Sequence, residues 1–133
     1  MHRVLILLLA SLMLVIPTAA QPATPPTVVT ITAPDGQTLV ADYHAPPEAN
    51  APAVLLLHQL YTTRRSWDAM AANLQSAGYA VLVPDLRGYG ASRGVLDWQA
   101  AQDDTLLWLD WLRSQPEVRG DRIAVIGSSM GAN

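Results

Sequence analysis

One serine, placed between two glycines, is the residue of this chain best suited to covalent chemistry. The pentapeptide from Gly127 to Gly131 has the form G-x-S-x-G with Ser129 at its centre, and it directly follows the apolar segment IAVI. A sharp strand-to-helix turn of this kind lifts the serine hydroxyl clear of the sheet, and only residues without bulk fit two positions before and after it. We therefore predict Ser129 as a nucleophile over Ser128 at the spacer position; the alternative is a structural Gly-Ser turn.

The residues after an earlier apolar segment, AVLLL, are suited to a second part of an acyl-transfer site. His58 ends that segment and Leu60 lies two residues beyond it. We expect the backbone N–H groups of Leu60 and Met130 to form an oxyanion hole, because paired backbone donors stabilise the charge that develops on a carbonyl oxygen. His58 could act as a general base. We favour a structural role for it, as a hydrogen-bonded support for its loop.

A third polar block, PDLRGYGAS, follows another apolar segment and contains Asp85 and Arg87. These two residues could be a catalytic carboxylate and a substrate clamp. We favour a structural Asp–Arg pair that fixes the loop together with its glycines. Asp103 and Asp104 are adjacent on a predicted helix and point in different directions, so they form no paired-carboxylate site. Two further charges are assigned to a solvated loop without a site role, namely Arg64 and Arg65.

The composition of the chain narrows the classes of function that it can have. The chain has 133 residues, half of them hydrophobic, which suits a single domain with a buried core. It contains no cysteine, which excludes thiol chemistry, disulfides and zinc–thiolate sites, and its three histidines lack metal-ligand spacing. The net charge of −3 comes without a basic block, so we expect no nucleic-acid partner. We expect neither a metal nor a cofactor.

The first 20 residues have the features of a secretory signal peptide. His2 and Arg3 precede a largely apolar run of 13 residues, Val4 to Ile16, and small residues then lead to a predicted cleavage site after Ala20. An uncleaved anchor is the alternative, but a spanning helix needs about 20 apolar residues. We expect an exported protein, periplasmic or extracellular, without a stable membrane span after cleavage. Residues 21–26 form a Pro-rich linker, and residues 27–133 belong to the folded domain.

Apolar periodicity predicts the strands of this domain. Thr27–Thr32 and Thr38–His44 flank the turn signal Pro-Asp-Gly, which indicates an antiparallel hairpin, and residues 46–52 follow as a loop. Three continuous apolar segments are typical of strands covered on both faces in a parallel sheet. They are Ala53–Leu57, Ala80–Val83 and Ile123–Ile126.

Helical patterns separate these three strands. The first has apolar residues at helical spacing and ends near Gly78, and its predicted buried stripe is Trp67, Met70, Ala71 and Leu74. The second helix is predicted from about Asp97 to Arg113, with a buried face formed by Leu107, Trp108, Trp111 and Leu112. Strands alternating with helices at this spacing predict an α/β fold, doubly wound and mostly parallel, with an antiparallel hairpin leading in.

Three blocks in this order, LLLHQLYTTRRSW, VLVPDLRGYGAS and DRIAVIGSSMGAN, resemble the α/β-hydrolase superfamily. The most similar branches are the dienelactone-hydrolase-like and lysophospholipase-like esterases, and the resemblance covers about Val28 to Asn133. It implies that Ser129 is the nucleophile, that Leu60 and Met130 carry the oxyanion donors, and that His58 and the block from Asp85 are structural. Many relatives have glycine where this chain has Gln59.

The resemblance also implies a reaction class. Dienelactone hydrolases proper use cysteine as the nucleophile, and dehalogenases and epoxide hydrolases use aspartate, so Ser129 favours an ordinary ester or related acyl bond. We therefore expect a serine hydrolase that acts on a small-molecule ester through an acyl-enzyme. The alternatives are an acyltransferase or serine peptidase of the same fold, or a non-catalytic α/β-hydrolase-like binding module.

The chain order in this superfamily is serine, acid, histidine. Four residues follow Ser129 here, so the triad acid and histidine are expected outside this N-terminal half of the fold. A serine hydroxyl without an adjacent base is a poor nucleophile, and the last strand would be an open sheet edge prone to aggregation. We expect this polypeptide alone to be inactive and poorly soluble, and the full-length product to be active.

Overall fold

The computed structural model describes residues 22–132, and it has a sheet with helices on both faces. The predicted signal peptide, residues 1–20, lies outside the described residues. Between residues 22 and 132 there is no helix with the length and hydropathy needed to cross a bilayer.

The chain enters the sheet through an antiparallel hairpin, as predicted. Strand β1 spans Thr27–Thr32 and β2 spans Thr38–His44, with Thr27 opposite Tyr43 at one end of the ladder. Gly36 adopts a φ of 84° in the connecting turn. This left-handed conformation costs glycine little, which explains why a Pro-Asp-Gly sequence turns the chain here.

Three parallel strands form the rest of the sheet: β3 (Ala51–Leu57), β4 (Ala80–Pro84) and β5 (Val118–Gly127). The strand order is β1-β2-β4-β3-β5, with β3 parallel to both β4 and β5 and β2 antiparallel to β4. The mostly parallel sheet is therefore confirmed. Strand β3 begins two residues earlier than predicted, because the Ala51 N–H donates to the Glu117 carbonyl (2.9 Å) beside the start of β5.

Each predicted helix is present with nearly the predicted bounds. A 3-10 turn, Arg64–Trp67, leads into helix α1 (Asp68–Ser76), and helix α2 spans Trp98–Arg113. The Asp97 carboxylate caps α2 by accepting from the Ala100 N–H at 2.8 Å. Such caps satisfy N–H groups that the first helical turn leaves without partners.

Alternate residues of the strands point into two separate apolar clusters. One face packs Leu55, Leu57 and Leu82 against Trp108 and Leu112 of α2. The opposite face packs β3 and β4 against α1, and its buried members are Val54, Leu56, Ala71, Val81 and Val83. Helices on both faces confirm the doubly wound architecture.

The buried stripe predicted for the first helix is wrong at Met70, which is 43% exposed. Trp67 in the 3-10 turn and Leu74 in α1 pack against the apolar cluster on the α1 face, as predicted. Ala71 and Gln75 are the buried residues of α1, so a polar side chain occupies a position that hydrophobicity alone did not mark.

Strand β5 lies at the edge of the sheet among the described residues. Val125 and Ile126 are 48% and 39% exposed, although both belong to the apolar segment predicted to be covered on both faces. The prediction of a buried strand is therefore wrong for residues 22–132, whereas the expected open edge is present. Unpaired backbone groups beside apolar side chains make such an edge prone to self-association.

Candidate active site

The backbone bends abruptly where β5 ends, at the predicted nucleophile. Ser129 has a φ of 50°, in the left-handed region, and begins a short 3-10 turn, Ser129–Ala132. Serine pays a steric cost in this region, so the surrounding contacts must hold it there. The Ser129 side chain is exposed and the following Met130 is buried in the core on the α2 face. We call residues 127–131 the elbow.

Both glycines of the elbow are required by close backbone contacts. A β-carbon at Gly127 would overlap the carbonyl group of Gly131. A β-carbon at Gly131 would overlap the carbonyl of Leu57 at the end of β3. The G-x-S-x-G spacing therefore has a steric cause in this structure: the chain crosses itself and β3 too closely for any side chain.

The loop that follows β3, residues 58–62, starts beside the elbow because Leu57 is paired in register with Gly127. His58 is fully buried, and its Nε2 accepts from the Leu86 N–H at 3.0 Å. With Nε2 as an acceptor, the ring proton lies on Nδ1 and is donated to the Gln59 carbonyl at 2.9 Å. Both ring nitrogens are thus hydrogen-bonded to the loops that follow β3 and β4.

Burial lowers the pKa of His58, against the opposing effects of its bond to the Gln59 carbonyl and the charge of Asp85. The neutral ring is the form that these contacts require. Leu60 and Tyr61 are exposed at the tip of the loop, and Tyr61 adopts a φ of 60°. The predicted oxyanion donor at Leu60 therefore lies on a tightly turned, solvent-facing segment.

Two contacts join this loop to the elbow. The Ser128 N–H donates to the Leu57 carbonyl at 3.1 Å, which extends the β3–β5 pairing by one bond. The Ser128 hydroxyl donates to Oε1 of Gln59 at 3.2 Å. The structure therefore brings together the two segments that carry Leu60, Ser129 and Met130.

The loop after β4 leaves the sheet at the same end as the elbow, and its buried polar side chains, Asp85, Arg87 and Ser92, are hydrogen-bonded. The Asp85 carboxylate is buried, and it accepts from the N–H groups of Arg64 and Ala91, each at 2.8 Å. It also forms an ion pair with the Arg64 guanidinium, which makes a second ion pair with Asp42 at 2.9 Å. A carboxylate held by these donors fixes the loop and is not free for substrate.

The predicted pairing of Asp85 with Arg87 is wrong. Arg87 donates to both carboxylate oxygens of Asp104, each at 2.8 Å, and pairs with Asp35 at 2.6 Å. The hydrogen bonds to Asp104, and to a smaller extent those to Asp35, raise the pKa of Arg87 although its burial has the opposite effect. Two loop residues separated only by Leu86 thus point to different neighbours, Asp85 to the 3-10 turn and Arg87 to α2.

The assignment of Arg64 to a solvated loop is also wrong, because its side chain is 12% exposed and bridges two buried carboxylates. Burial opposes the charged form of Arg64, but the charges of Asp85 and Asp42 outweigh it and raise the pKa. Sequence patterns also missed Asp104. Its spacing of four and eight residues before Trp108 and Leu112 places it on the buried face of α2, and a charge on such a face signals a buried pair.

The comparisons with known proteins agree with this architecture. A mixed sheet with a glycine-framed serine at the end of its fifth strand defines the α/β-hydrolase superfamily, as the three sequence blocks predicted. The family model of the X-Pro dipeptidyl-peptidases (S15 family) matches residues 35–133. The chain belongs to this S15 family, a hydrolase family of the α/β fold.

Individual relatives carry several different names. An uncharacterised protein of Mycobacterium tuberculosis is 35% identical over 83 residues, which cover 62% of this chain and 30% of that protein. Epoxide hydrolase A of M. tuberculosis is 30% identical over 103 residues, covering 61% of this chain and 32% of that enzyme. The chain therefore spans about a third of the length of the curated relatives it matches.

Solved structures show the same fold. The α/β hydrolase GrgF from Penicillium sp. sh18 has a TM-score of 0.71 at 26% identity, over 78% of this chain and 37% of that one. The thioesterase domain from the curacin biosynthetic pathway has a TM-score of 0.68 at 23% identity, over 82% of this chain and 37% of that one.

Proposed function

We propose that the full-length protein is a serine hydrolase that cleaves an ester or related acyl bond through an acyl-enzyme. The observation that carries this proposal is the exposed Ser129 hydroxyl on a left-handed residue, framed by two glycines whose β-carbons would not fit. Strain of this kind is kept only where surrounding contacts impose it, and it is typical of reactive residues.

In this proposal Ser129 Oγ attacks the carbonyl carbon, and its proton passes to a histidine supplied by the remainder of the protein. The carbonyl oxygen becomes an oxyanion that accepts from the Leu60 and Met130 N–H groups. Collapse breaks the bond to the leaving group, which takes up the proton, and water then releases the acyl group by the same steps. His58 is not the base, because both of its ring nitrogens are engaged.

The test is labelling of the full-length protein with a fluorophosphonate, followed by hydrolysis of p-nitrophenyl acetate. We expect Ser129→Ala to abolish labelling and to lower hydrolysis by about 10⁴-fold or more, as for other triad serines. The matched control is Ser114→Ala, which removes an exposed hydroxyl bonded to the Trp111 carbonyl at the far end of α2. Equal labelling of Ser129→Ala and wild type would reject the proposal.

A peptidase is the second candidate, and the S15 family match favours it. The same acyl-enzyme forms from an amide when the leaving amine is protonated, so the proposed site serves both reactions. Comparing p-nitrophenyl acetate with Gly-Pro-p-nitroanilide on the full-length protein distinguishes them. Selective turnover of the anilide would establish the peptidase. Transfer of the acyl group to added alcohols or amines in preference to water would establish an acyltransferase.

Two further functions, epoxide hydrolysis and binding without catalysis, predict different experimental results. Relatives named epoxide hydrolase share the fold, but aspartate is expected as the nucleophile of such enzymes, where this chain has Ser129. Styrene oxide turnover that survives Ser129→Ala would favour that chemistry. A folded full-length protein that is inert to fluorophosphonate and all these substrates would be a binding module.

We also propose export, based on the charged start, apolar run and small residues of positions 1–20. Cell fractionation and N-terminal sequencing test this proposal. A mature protein that begins at Gln21 outside the cytoplasm supports it, and an intact Met1 on a cytoplasmic protein contradicts it.

A further inference from the structure

The bond between the Gln59 and Ser128 side chains spans 69 positions of sequence and joins the loop after β3 to the elbow. Ser128 occupies the spacer position immediately before the proposed nucleophile, and Gln59 immediately precedes the proposed donor Leu60. The amide of Gln59 offers both a donor and an acceptor, so either orientation of it can bond the Ser128 hydroxyl. We call this contact the clasp.

Both ends of the clasp are anchored through the main chain. The Gln59 carbonyl accepts from the His58 ring and from the Thr62 hydroxyl, each at 2.9 Å. In the elbow, the Ser128 N–H donates to the Leu57 carbonyl, and the Ser128 carbonyl accepts from the Gly131 N–H at 3.0 Å. A bond between two anchored residues transmits position, because neither end can yield without breaking other bonds.

The clasp lies where the two proposed oxyanion donors must be aligned. Leu60 is one residue after Gln59, and Met130 is two residues after Ser128. The loop tip is exposed, with Tyr61 at 91%, so few packing contacts hold it against the elbow. Two donors stabilise an oxyanion only when both reach it at hydrogen-bond distance, and small displacements are costly.

We propose that Gln59 and Ser128 are positioning residues, whose side-chain bond sets the separation of the Leu60 and Met130 N–H groups. This proposal rests on the serine hydrolase function proposed above. It gives a role to the position where many α/β-hydrolase relatives have glycine. A glycine there has no side chain, whereas the side chain of Gln59 is long enough to bond directly to the elbow.

The test uses the full-length protein with Gln59→Met, Ser128→Ala and the double variant. Methionine keeps the length of glutamine without its amide, and alanine removes the hydroxyl. We expect each single variant to lower kcat by about 10-fold with KM within about 2-fold, because the donors act on the transition state and not on the bound ester. We expect the double variant to lose no more than either single one.

A transition-state analogue separates positioning from simple loss of structure. Phenylboronic acid forms a tetrahedral adduct with a reactive serine, so its Ki should rise by the same factor as kcat falls. Ser128→Thr restores a hydroxyl and should recover most of the rate, whereas Ser114→Ala should match wild type in both kcat and Ki. Thermal unfolding midpoints establish that each variant is folded; if Gln59→Met does not fold, Ser128→Ala compared with Ser128→Thr decides.

Additive losses in the double variant, or a change in KM with unchanged kcat and unchanged Ki, would contradict the positioning role proposed for the clasp. A proposed function that fails gives a different result, because the wild type would then be inert or its activity would survive Ser129→Ala. Full dependence on Ser129 with a wild-type rate for Ser128→Ala rejects the clasp and leaves the hydrolase intact.

Discussion

The elbow after β5 and the loop after β4 both leave the sheet at the carboxyl ends of its parallel strands. Their polar side chains nevertheless differ in exposure and in hydrogen bonding. In the β4 loop, Asp85 and Arg87 are buried and each is held by several charged or N–H partners. In the elbow, Ser129 is exposed and adopts a left-handed φ of 50°. Strain and exposure accompany the group proposed as the nucleophile, whereas several hydrogen bonds accompany the groups that fix the β4 loop.

The largest effect expected from this comparison is on the elbow backbone. Gly131→Ala would place a β-carbon against the Leu57 carbonyl, so the elbow must shift. We expect the fluorophosphonate labelling rate of the full-length protein to fall by about 100-fold or more, since misplacement of about 1 Å can cost that much. The control is Gly120→Ala on the preceding strand β5, where the β-carbon would meet no atom closer than 3.8 Å. Equal rates in the two variants would contradict the steric explanation.

The next effect is on the β4 loop. Asp85→Ala removes a buried carboxylate and leaves the Arg64 guanidinium and two N–H groups without it, which should lower the free energy of unfolding by about 3–5 kcal/mol. Asp110→Ala breaks an exposed pair with Arg113 and should cost less than about 0.5 kcal/mol. Urea unfolding of the full-length variants measures both. Similar costs at the two positions would remove the distinction between the regions.

A smaller effect is expected where the β4 loop bonds to the hairpin. The Ser92 hydroxyl is fully buried and accepts from the Val40 N–H at 2.9 Å. Ser92→Ala leaves that N–H unsatisfied, so we expect a loss of about 1–3 kcal/mol in unfolding free energy. The fluorophosphonate labelling rate of the folded variant should stay at the wild-type value, because the elbow does not contact this bond. A slower rate at full folding would show that the two regions are coupled.

The smallest effect is a dependence on pH. Burial lowers the pKa of both His58 and His44 from an ordinary value of 6.5. The unfolded chain then binds more protons than the folded one below that pH, so stability is complete above about pH 6.5 and falls as the pH decreases. Thermal unfolding at pH 7.5 and 5.5 measures the slope. His44→Gln removes one titration without touching either loop and should make the slope shallower; an unchanged slope would contradict a contribution from His44.

Much of the fold could be predicted because the strands are continuous apolar segments with clear turn signals. The hairpin bounds, the parallel order of β3 and β4 and the extent of α2 all follow from local periodicity. The exposure of Val125 and Ile126 does not follow from periodicity, because an apolar segment indicates a strand suited to burial and not what covers it; it follows from the expected open edge of the sheet.

For the candidate site, the spacing of Gly127 and Gly131 predicted a steric constraint that the backbone shows. The partners of charged residues were not predictable, because nearness in sequence suggested Asp85 for Arg87 while the fold supplied Asp104 and Asp35. Long-range pairs depend on which elements become neighbours, and local patterns do not contain that information.

Gln75 in helix α1 holds the segment that precedes β1 in place through hydrogen bonds. Its buried amide bonds the backbone N–H and the hydroxyl of Thr24 at 3.0 and 2.9 Å, and also the carbonyl of Ala45. Gln75 lies in the last turn of α1, just before β4 begins, whereas the elbow follows the opposite ends of the parallel strands. A fluorophore or affinity tag joined just ahead of Thr24 would therefore leave the domain on the side remote from Ser129, which favours that position for immobilising the protein when the proposed reaction of Ser129 is measured.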